Sequence, residues 1–157
     1  MKKWIPIAAL GAVAVAAFAY YRRQAQLLKD FTYKIIGVNV RILQSKLVEV
    51  RVKLRVTNDS NFEAVVERVY MSIAMEQTPV GFLESTQPTP VPAKSNVDID
   101  LRMVFDANVI IRNIVGFAAA LLTTRKIRYS LNGFVRVKSG IFKVSIPVKY
   151  NAEVAVK

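Results

Sequence analysis

The pattern of hydrophobic and polar positions divides the chain into a helical beginning and a longer part with the period of β-strands. The first part contains an uncharged stretch from Trp4 to Tyr21, which basic residues flank on both sides. As an α-helix this stretch would be about 27 Å long, close to the roughly 30 Å of a bilayer's hydrocarbon core. The pattern therefore predicts a transmembrane helix, with residues 1–30 forming a membrane anchor and a stalk.

One alternative interpretation of this stretch is a buried helix of a soluble protein, which the charged ends disfavour. The other is a cleaved signal peptide, with Ala17-Phe18-Ala19 as a small-x-small cleavage site. The run from Arg22 to Lys29 favours a retained helix, because it contains good helix formers and no breaker. We therefore expect a single-pass protein of a cell membrane or of a virus particle's internal membrane. Similar basic charge on the two sides leaves its orientation open. The residues predicted to lie in the bilayer are Trp4, Ile5, Ile7, Leu10, Val13, Val15, Phe18, Tyr20 and Tyr21.

From residue 31 onward the hydrophobic period is two, as in strands with one buried and one solvated face. The clearest alternation covers residues 48–57, where Val48, Val50 and Val52 are separated by Glu49 and Arg51. Two further segments, 96–105 and 142–150, alternate as clearly, and Pro147 favours an edge position or a bulge for the last one. Weaker strands are predicted at residues 32–43, 64–75, 79–85 and 127–138.

One helix is predicted to interrupt the strands near residues 107–123, with Asp106 as its N-cap. About seven strands with short turns, such as Ser139-Gly140, are typical of an antiparallel sandwich or barrel. The fold class is therefore mainly β: an N-terminal transmembrane helix, then an antiparallel β domain at residues 31–157.

The order of the elements resembles a known family. The segment from Val50 to Asn58 leads into Asp59-Ser60-Asn61-Phe62, and a turn at Pro92-Ala93-Lys94 follows later. A final hairpin runs from Ile127 to Val148. Over residues 35–150 the chain resembles the late-embryogenesis-abundant type 2 domain, although this family usually has Asn-Pro-Asn at the turn after Val50–Thr57. The resemblance implies an immunoglobulin-like or fibronectin-like β-sandwich, roles in stress tolerance or lipid handling, and no catalytic residues.

The composition argues against catalysis. The chain has no Cys and no His, which removes thiol chemistry, the commonest general base and the commonest metal ligand. Asp98 and Asp100 share one strand face, but two exposed acids do not make a cation site. No phosphate-binding loop is present. We therefore predict no enzyme, no metal and no cofactor.

The net charge of +12 favours anionic partners. Arg51, Lys53 and Arg55 form a basic stripe on one predicted strand face. Together with Arg22 and Arg23, this stripe is predicted to contact anionic headgroups or an acidic protein surface. Specific nucleic-acid binding is not expected, because the aromatic residues mostly fall at apolar positions. Neighbouring strands are expected to extend the stripe through Arg128, Arg136, Lys138, Lys143 and Lys149.

These observations predict a non-enzymatic structural or interaction protein, anchored in a lipid bilayer and assembled with other protein subunits. One such assembly is the membrane-associated layer of a virus particle. The alternative is a cellular, membrane-anchored protein for stress protection or lipid binding, as the family resemblance implies.

Overall fold

The computed structural model describes residues 7–43, 46–108, 123 and 125–155. It begins with one long helix, α1, from Ile7 to Asp30, which continues directly into the first strand. The switch from an alanine-rich segment to alternating β-branched residues explains this boundary. The strands are β1 (Phe31–Ile42), β2 (Leu47–Asn58), β3 (Ala64–Met75), β4 (Thr78–Ser85), β5 (Thr89–Val91), β6 (Ser95–Asp106), β7 (Lys126–Ser139) and β8 (Phe142–Ala155).

The strands form two antiparallel sheets. The three-stranded sheet has the order β1-β2-β6, and the five-stranded sheet has the order β4-β3-β7-β8 with β5 also paired to β3. All seven strands predicted from the alternation are confirmed, while the short strand β5 lies in a proline-rich connection where none is expected. The edge position predicted from Pro147 is also confirmed, because β8 is the last strand of its sheet.

One hydrophobic core contains side chains from both sheets. The inward positions of the central strand β2, such as Val50, Leu54 and Val56, are completely buried. Met71 of β3 and Leu131 of β7 belong to the same cluster and are equally buried. Each such side chain contributes roughly 1.5–3 kcal/mol through the hydrophobic effect. The outward positions between them carry the charged residues considered below.

The C-terminal half of α1 packs against the β domain. Leu27 is buried in the core, and the ring of Tyr20 lies 5.3 Å from that of Phe142. The backbone N–H of Asp59 donates a hydrogen bond to the carbonyl oxygen of Asp30 at 2.8 Å. The end of the helix, at Asp30, is therefore packed against the strands.

The prediction of a single-pass membrane protein with an N-terminal anchor requires correction. Among the described residues, no helix combines the length and the apolar character that a membrane crossing needs. The physical reason lies in the second half of α1, which carries Arg22, Arg23 and Lys29 and docks on the strands through Leu27. Of the predicted bilayer residues, Trp4 and Ile5 lie outside the described part. Val13, Val15, Phe18, Tyr20 and Tyr21 are exposed on α1.

The second predicted helix falls mostly outside the described residues. Its first residues, Ala107 and Asn108, are helical. The side chain of Asp106 accepts a hydrogen bond from the backbone N–H of Asn108 at 2.8 Å, which agrees with its predicted role as N-cap.

Candidate binding surface

The predicted basic stripe lies on the outer face of the three-stranded sheet, but carboxylates already pair with its cations. Arg55 donates two hydrogen bonds to Asp98, at 2.7 and 2.9 Å. The ammonium of Lys53 lies 3.7 Å from the carboxylate of Asp100. Both acids come from β6, which runs beside β2 in antiparallel register. Asp98 and Asp100 thus serve as counter-ions, and the described residues contain no group of three acids that could hold a metal ion.

The third cation of the stripe, Arg51, shares a buried carboxylate with a residue of β6. Glu49 is 3% exposed, although it lies on the outward side of β2. Its Oε1 accepts hydrogen bonds from Arg51 at 3.1 Å and from Arg102 at 2.5 Å. These hydrogen bonds from Arg51 and Arg102 lower the pKa of Glu49. Similarly, the hydrogen bond from Arg55 lowers the pKa of Asp98.

We expect these carboxylates to make the protein less stable in acid. A carboxylate whose pKa is lower in the folded state stabilises the fold above its unfolded pKa of about 4.3. That contribution is lost as the pH falls through the folded pKa. In urea unfolding, Glu49→Gln should lower the midpoint at neutral pH and reduce its fall between neutral pH and about pH 3.

Asp100→Asn is the matched control for Glu49→Gln, because the Asp100 side chain is 78% exposed and its distance to Lys53 is long. We expect this control to change neither the midpoint at neutral pH nor its dependence on pH. An equal pH dependence in Glu49→Gln and the unmodified protein would show that Glu49 does not contribute to the acid sensitivity.

Arg22 and Arg23 lie on the C-terminal half of α1. The guanidinium of Arg23 sits over the ring of Phe62, 4.6 Å from its centre. It lines a small pocket together with Asp30 and Asp59. Arg22 is exposed on the helix surface. Arg23 therefore contacts the turn between β2 and β3. Arg51, Lys53 and Arg55 lie elsewhere, on the outer face in the middle of β2.

The five cations expected to extend the stripe belong to the other sheet. They lie on β7 and β8, which pair with β3 and with each other and not with β2. Arg128 is paired with Glu76 at 3.1 Å, and Lys143 with Glu67 at 3.2 Å. Arg136 and Lys149 make no ion pair with the part of the chain that the structure describes.

An aromatic row crosses the outer face of the five-stranded sheet. It consists of Phe82 on β4, Tyr70 on β3 and Phe134 on β7. The ring centres of Tyr70 and Phe82 are 5.7 Å apart, and those of Tyr70 and Phe134 are 5.9 Å apart. Both pairs are stacked, an arrangement that adds about 0.5–1.5 kcal/mol to each contact. Phe82 is 56% exposed, so the row is open to solvent at the strand β4.

This row was not predicted from the sequence, because the aromatic residues were assigned to the buried, apolar side of the strands. The alternation itself contains the signal. In β7, Ile127, Tyr129 and Leu131 point inward, so the even position 134 points outward. The same parity places Tyr70 outward beside buried Met71.

These features define the class: a mainly β protein of two antiparallel sheets, with charged outer faces and one aromatic row. The chain belongs to the late embryogenesis abundant protein family, because the sequence profile of that family matches residues 53–152. This confirms the resemblance seen in the sequence. No curated protein matches the chain significantly in sequence.

Solved structures similar to this one share the fold. A protein from Archaeoglobus fulgidus has a TM-score of 0.57 and 13% identity, with 80% of this chain and 98% of that chain covered. A solution structure of an Arabidopsis thaliana protein has a TM-score of 0.60 and 16% identity, with 80% and 82% covered. A putative late embryogenesis abundant protein has a TM-score of 0.54 and 11% identity, with 93% and 86% covered. At these identities the similarity concerns the fold alone.

Proposed function

We propose that this protein is a non-enzymatic binding protein of the late embryogenesis abundant family. Its working surface is the outer face of the five-stranded sheet. The observation that carries this proposal is the aromatic row of Phe82, Tyr70 and Phe134, which opens to solvent at Phe82. It is bordered by Arg136 and Lys149, two cations that make no ion pair with a described residue. Large aromatic side chains are seldom left open to solvent without a role, so an aromatic row that is exposed at Phe82 and lies beside cations is typical of an interaction site.

The partner is anionic: a lipid headgroup, another macromolecule or an acidic protein surface. The net charge of +12 attracts such partners over long distances. We place the contact on β7 and β8, since Arg51, Lys53 and Arg55 of the three-stranded sheet already hold carboxylates. An anionic ligand would have to displace those carboxylates first. The roles in stress protection and lipid binding that the resemblance implies both need such a contact surface.

Two features support a role without catalysis. The family is generally not enzymatic, and the chain lacks Cys and His altogether. The pocket beside Tyr129 is lined by Arg128 with Glu76, which form an ion pair.

We also propose that residues 31–157 form one domain in which the two sheets pack face to face, as in immunoglobulin-like and fibronectin-like sandwiches. Contacts between β4 and β6 and between β1 and β8 support this arrangement. So does the core cluster, which contains buried side chains of both sheets. A sandwich of this kind leaves each sheet with one outer face, and the aromatic row occupies one of the two.

Retention on immobilised heparin tests the proposed surface. We expect Arg136→Glu/Lys149→Glu to elute at clearly lower salt than the unmodified protein, because neither cation is held by a carboxylate of the described residues. The matched control is Lys53→Glu/Arg55→Glu, which changes the net charge equally on the other sheet. This control should reduce retention less. Equal loss in both double variants would contradict the proposal, since retention would then depend only on net charge. Failure of the unmodified protein to bind heparin would also contradict it.

A further inference from the structure

Three rows of side chains cross the outer face of β3, β7 and β8. The middle row joins Tyr70, Phe134 and Pro147, which are register neighbours, and Phe82 of β4 continues its stacking. The row on one side contains Arg68, Arg136 and Ser145. The row on the other side contains Ser72, Asn132 and Lys149. Flat apolar rings thus lie between two borders of cationic and polar groups.

The arginine border contacts the rings directly. The guanidinium of Arg136 lies 5.4 Å from the centre of Phe134, and that of Arg68 lies 5.8 Å from the centre of Tyr70. Both distances fall within the range of cation–π attraction. Arg68 also holds the carboxylate of Glu84 through a 2.7 Å hydrogen bond. Arg136 makes no ion pair with a described residue, so its planar donors are free for an incoming phosphate.

The opposite border offers hydrogen-bonding groups. The hydroxyl of Ser72 donates to the carbonyl oxygen of Asn132 at 2.9 Å, which ties the two strands together. The exposed side-chain amide of Asn132 has no hydrogen bond within the described part of the chain, and it can both donate and accept. The ammonium of Lys149 follows on β8. Flat groups that stack on the rings would therefore meet polar groups at their edges.

We infer that this surface binds single-stranded nucleic acid, with bases stacked on Phe82, Tyr70 and Phe134 and phosphates held by Arg136 and Lys149. The inference rests on the proposed function and names its ligand. Single strands combine exposed flat bases with regularly spaced negative charge. The bases would therefore contact the rings, and the phosphates would contact the cations. A lipid headgroup has the negative charge but no flat ring to stack on the aromatic row. A neutral sugar can stack on the rings but has no charge for the arginines to bind.

The size of the row suits a short stretch of single strand. Its rings lie on three adjacent strands and span about 10 Å, at roughly 4.8 Å per strand. Aromatic side chains on antiparallel sheets can stack two or three bases in this way. Each stacked base contributes about 1–3 kcal/mol with little preference for sequence. Binding without sequence preference is compatible with the expectation that specific nucleic-acid recognition is absent.

The test measures fluorescence anisotropy of labelled oligouridylate and oligodeoxythymidylate with the full-length protein. We expect Phe82→Ala/Phe134→Ala to weaken binding about tenfold or more and to leave retention on heparin unchanged. The matched control, Phe62→Ala/Ile141→Ala, removes two side chains that are 55% and 80% exposed away from the row. It should bind like the unmodified protein. A duplex of the same length should bind more weakly, because its bases are already stacked.

Two results would overturn the inference. Unchanged oligonucleotide affinity in the aromatic variant would show that charge alone holds the strand. The second result concerns other ligands of the same variant. If Phe82→Ala/Phe134→Ala lost binding to phosphatidylserine-rich vesicles or to a neutral oligosaccharide but still bound the oligonucleotide, the aromatic row would belong to that other ligand. In either case, retention on heparin that depends on Arg136 and Lys149 would leave the proposed function standing. Absence of heparin retention in the unmodified protein would instead refute the proposed function itself.

Discussion

We expect Gly133→Ala to lower the free energy of unfolding by more than about 3 kcal/mol. An added Cβ at this position in β7 would lie 1.9 Å from the carbonyl oxygen of Tyr70 and 2.7 Å from the Cα of Met71. Both atoms belong to the backbone of β3, so no side-chain rotation can relieve the overlap. The strands would have to separate along the middle of the five-stranded sheet. Urea or thermal unfolding of the purified variant measures the effect.

Gly37→Ala is the matched control for Gly133→Ala. A Cβ at Gly37 in β1 would meet only the Cβ of Lys53 at 3.9 Å, which is an ordinary van der Waals contact. Its stability should stay within about 0.5 kcal/mol of the unmodified protein. Gly133 precedes Phe134, whose ring stacks on that of Tyr70, so Gly133→Ala should also disturb the aromatic row. A stable Gly133→Ala variant would contradict the tight pairing of β3 with β7.

The second large effect is expected for Asn58→Ala, which should cost about 3 kcal/mol of stability. Asn58 is completely buried at the end of β2. Its amide nitrogen donates to the carbonyl oxygens of Phe62, Val91 and Pro92, at 2.8, 3.1 and 3.1 Å. Its carbonyl oxygen accepts from the N–H and the hydroxyl of Ser60, at 3.0 and 2.7 Å. Alanine would remove all five hydrogen bonds, including the buried ones to Val91 and Ser60.

The neighbouring Asn61 provides the control for Asn58→Ala. Its side chain is exposed and makes no hydrogen bond within the described part of the chain. Asn61→Ala should therefore change the urea midpoint very little. Similar midpoints for the two alanine variants would contradict the role of Asn58 in joining the turn after β2 to the end of β5.

The strands could be predicted from sequence because alternation is a local signal. The Val50, Val52 and Leu54 positions of β2 must share one face of any extended chain, whatever surrounds them. The order of elements and the turn after β2 were also enough to identify the family. The role of Asn58 was not visible, because two of its five hydrogen bonds reach carbonyl oxygens more than 30 positions along the chain, which only folding brings close. The membrane anchor was predicted from one uncharged stretch alone. The stretch does not reveal that the helix continues to Leu27, whose side chain packs into the core of the strands.

The sequence by itself determined the β period, the family and the absence of thiol and imidazole chemistry. The tertiary structure decided which charges remain free, because partners far apart along the chain become neighbours only across strands. Arg55 and Asp98 are separated by 43 positions, yet their pairing neutralises part of the predicted basic stripe. The same cross-strand pairing aligns Phe82, Tyr70 and Phe134, which no local pattern connects. For this reason we propose the working surface on the five-stranded sheet, where the aromatic row lies beside cations that make no ion pair with the described residues, and not on β2, where the charge is most regular.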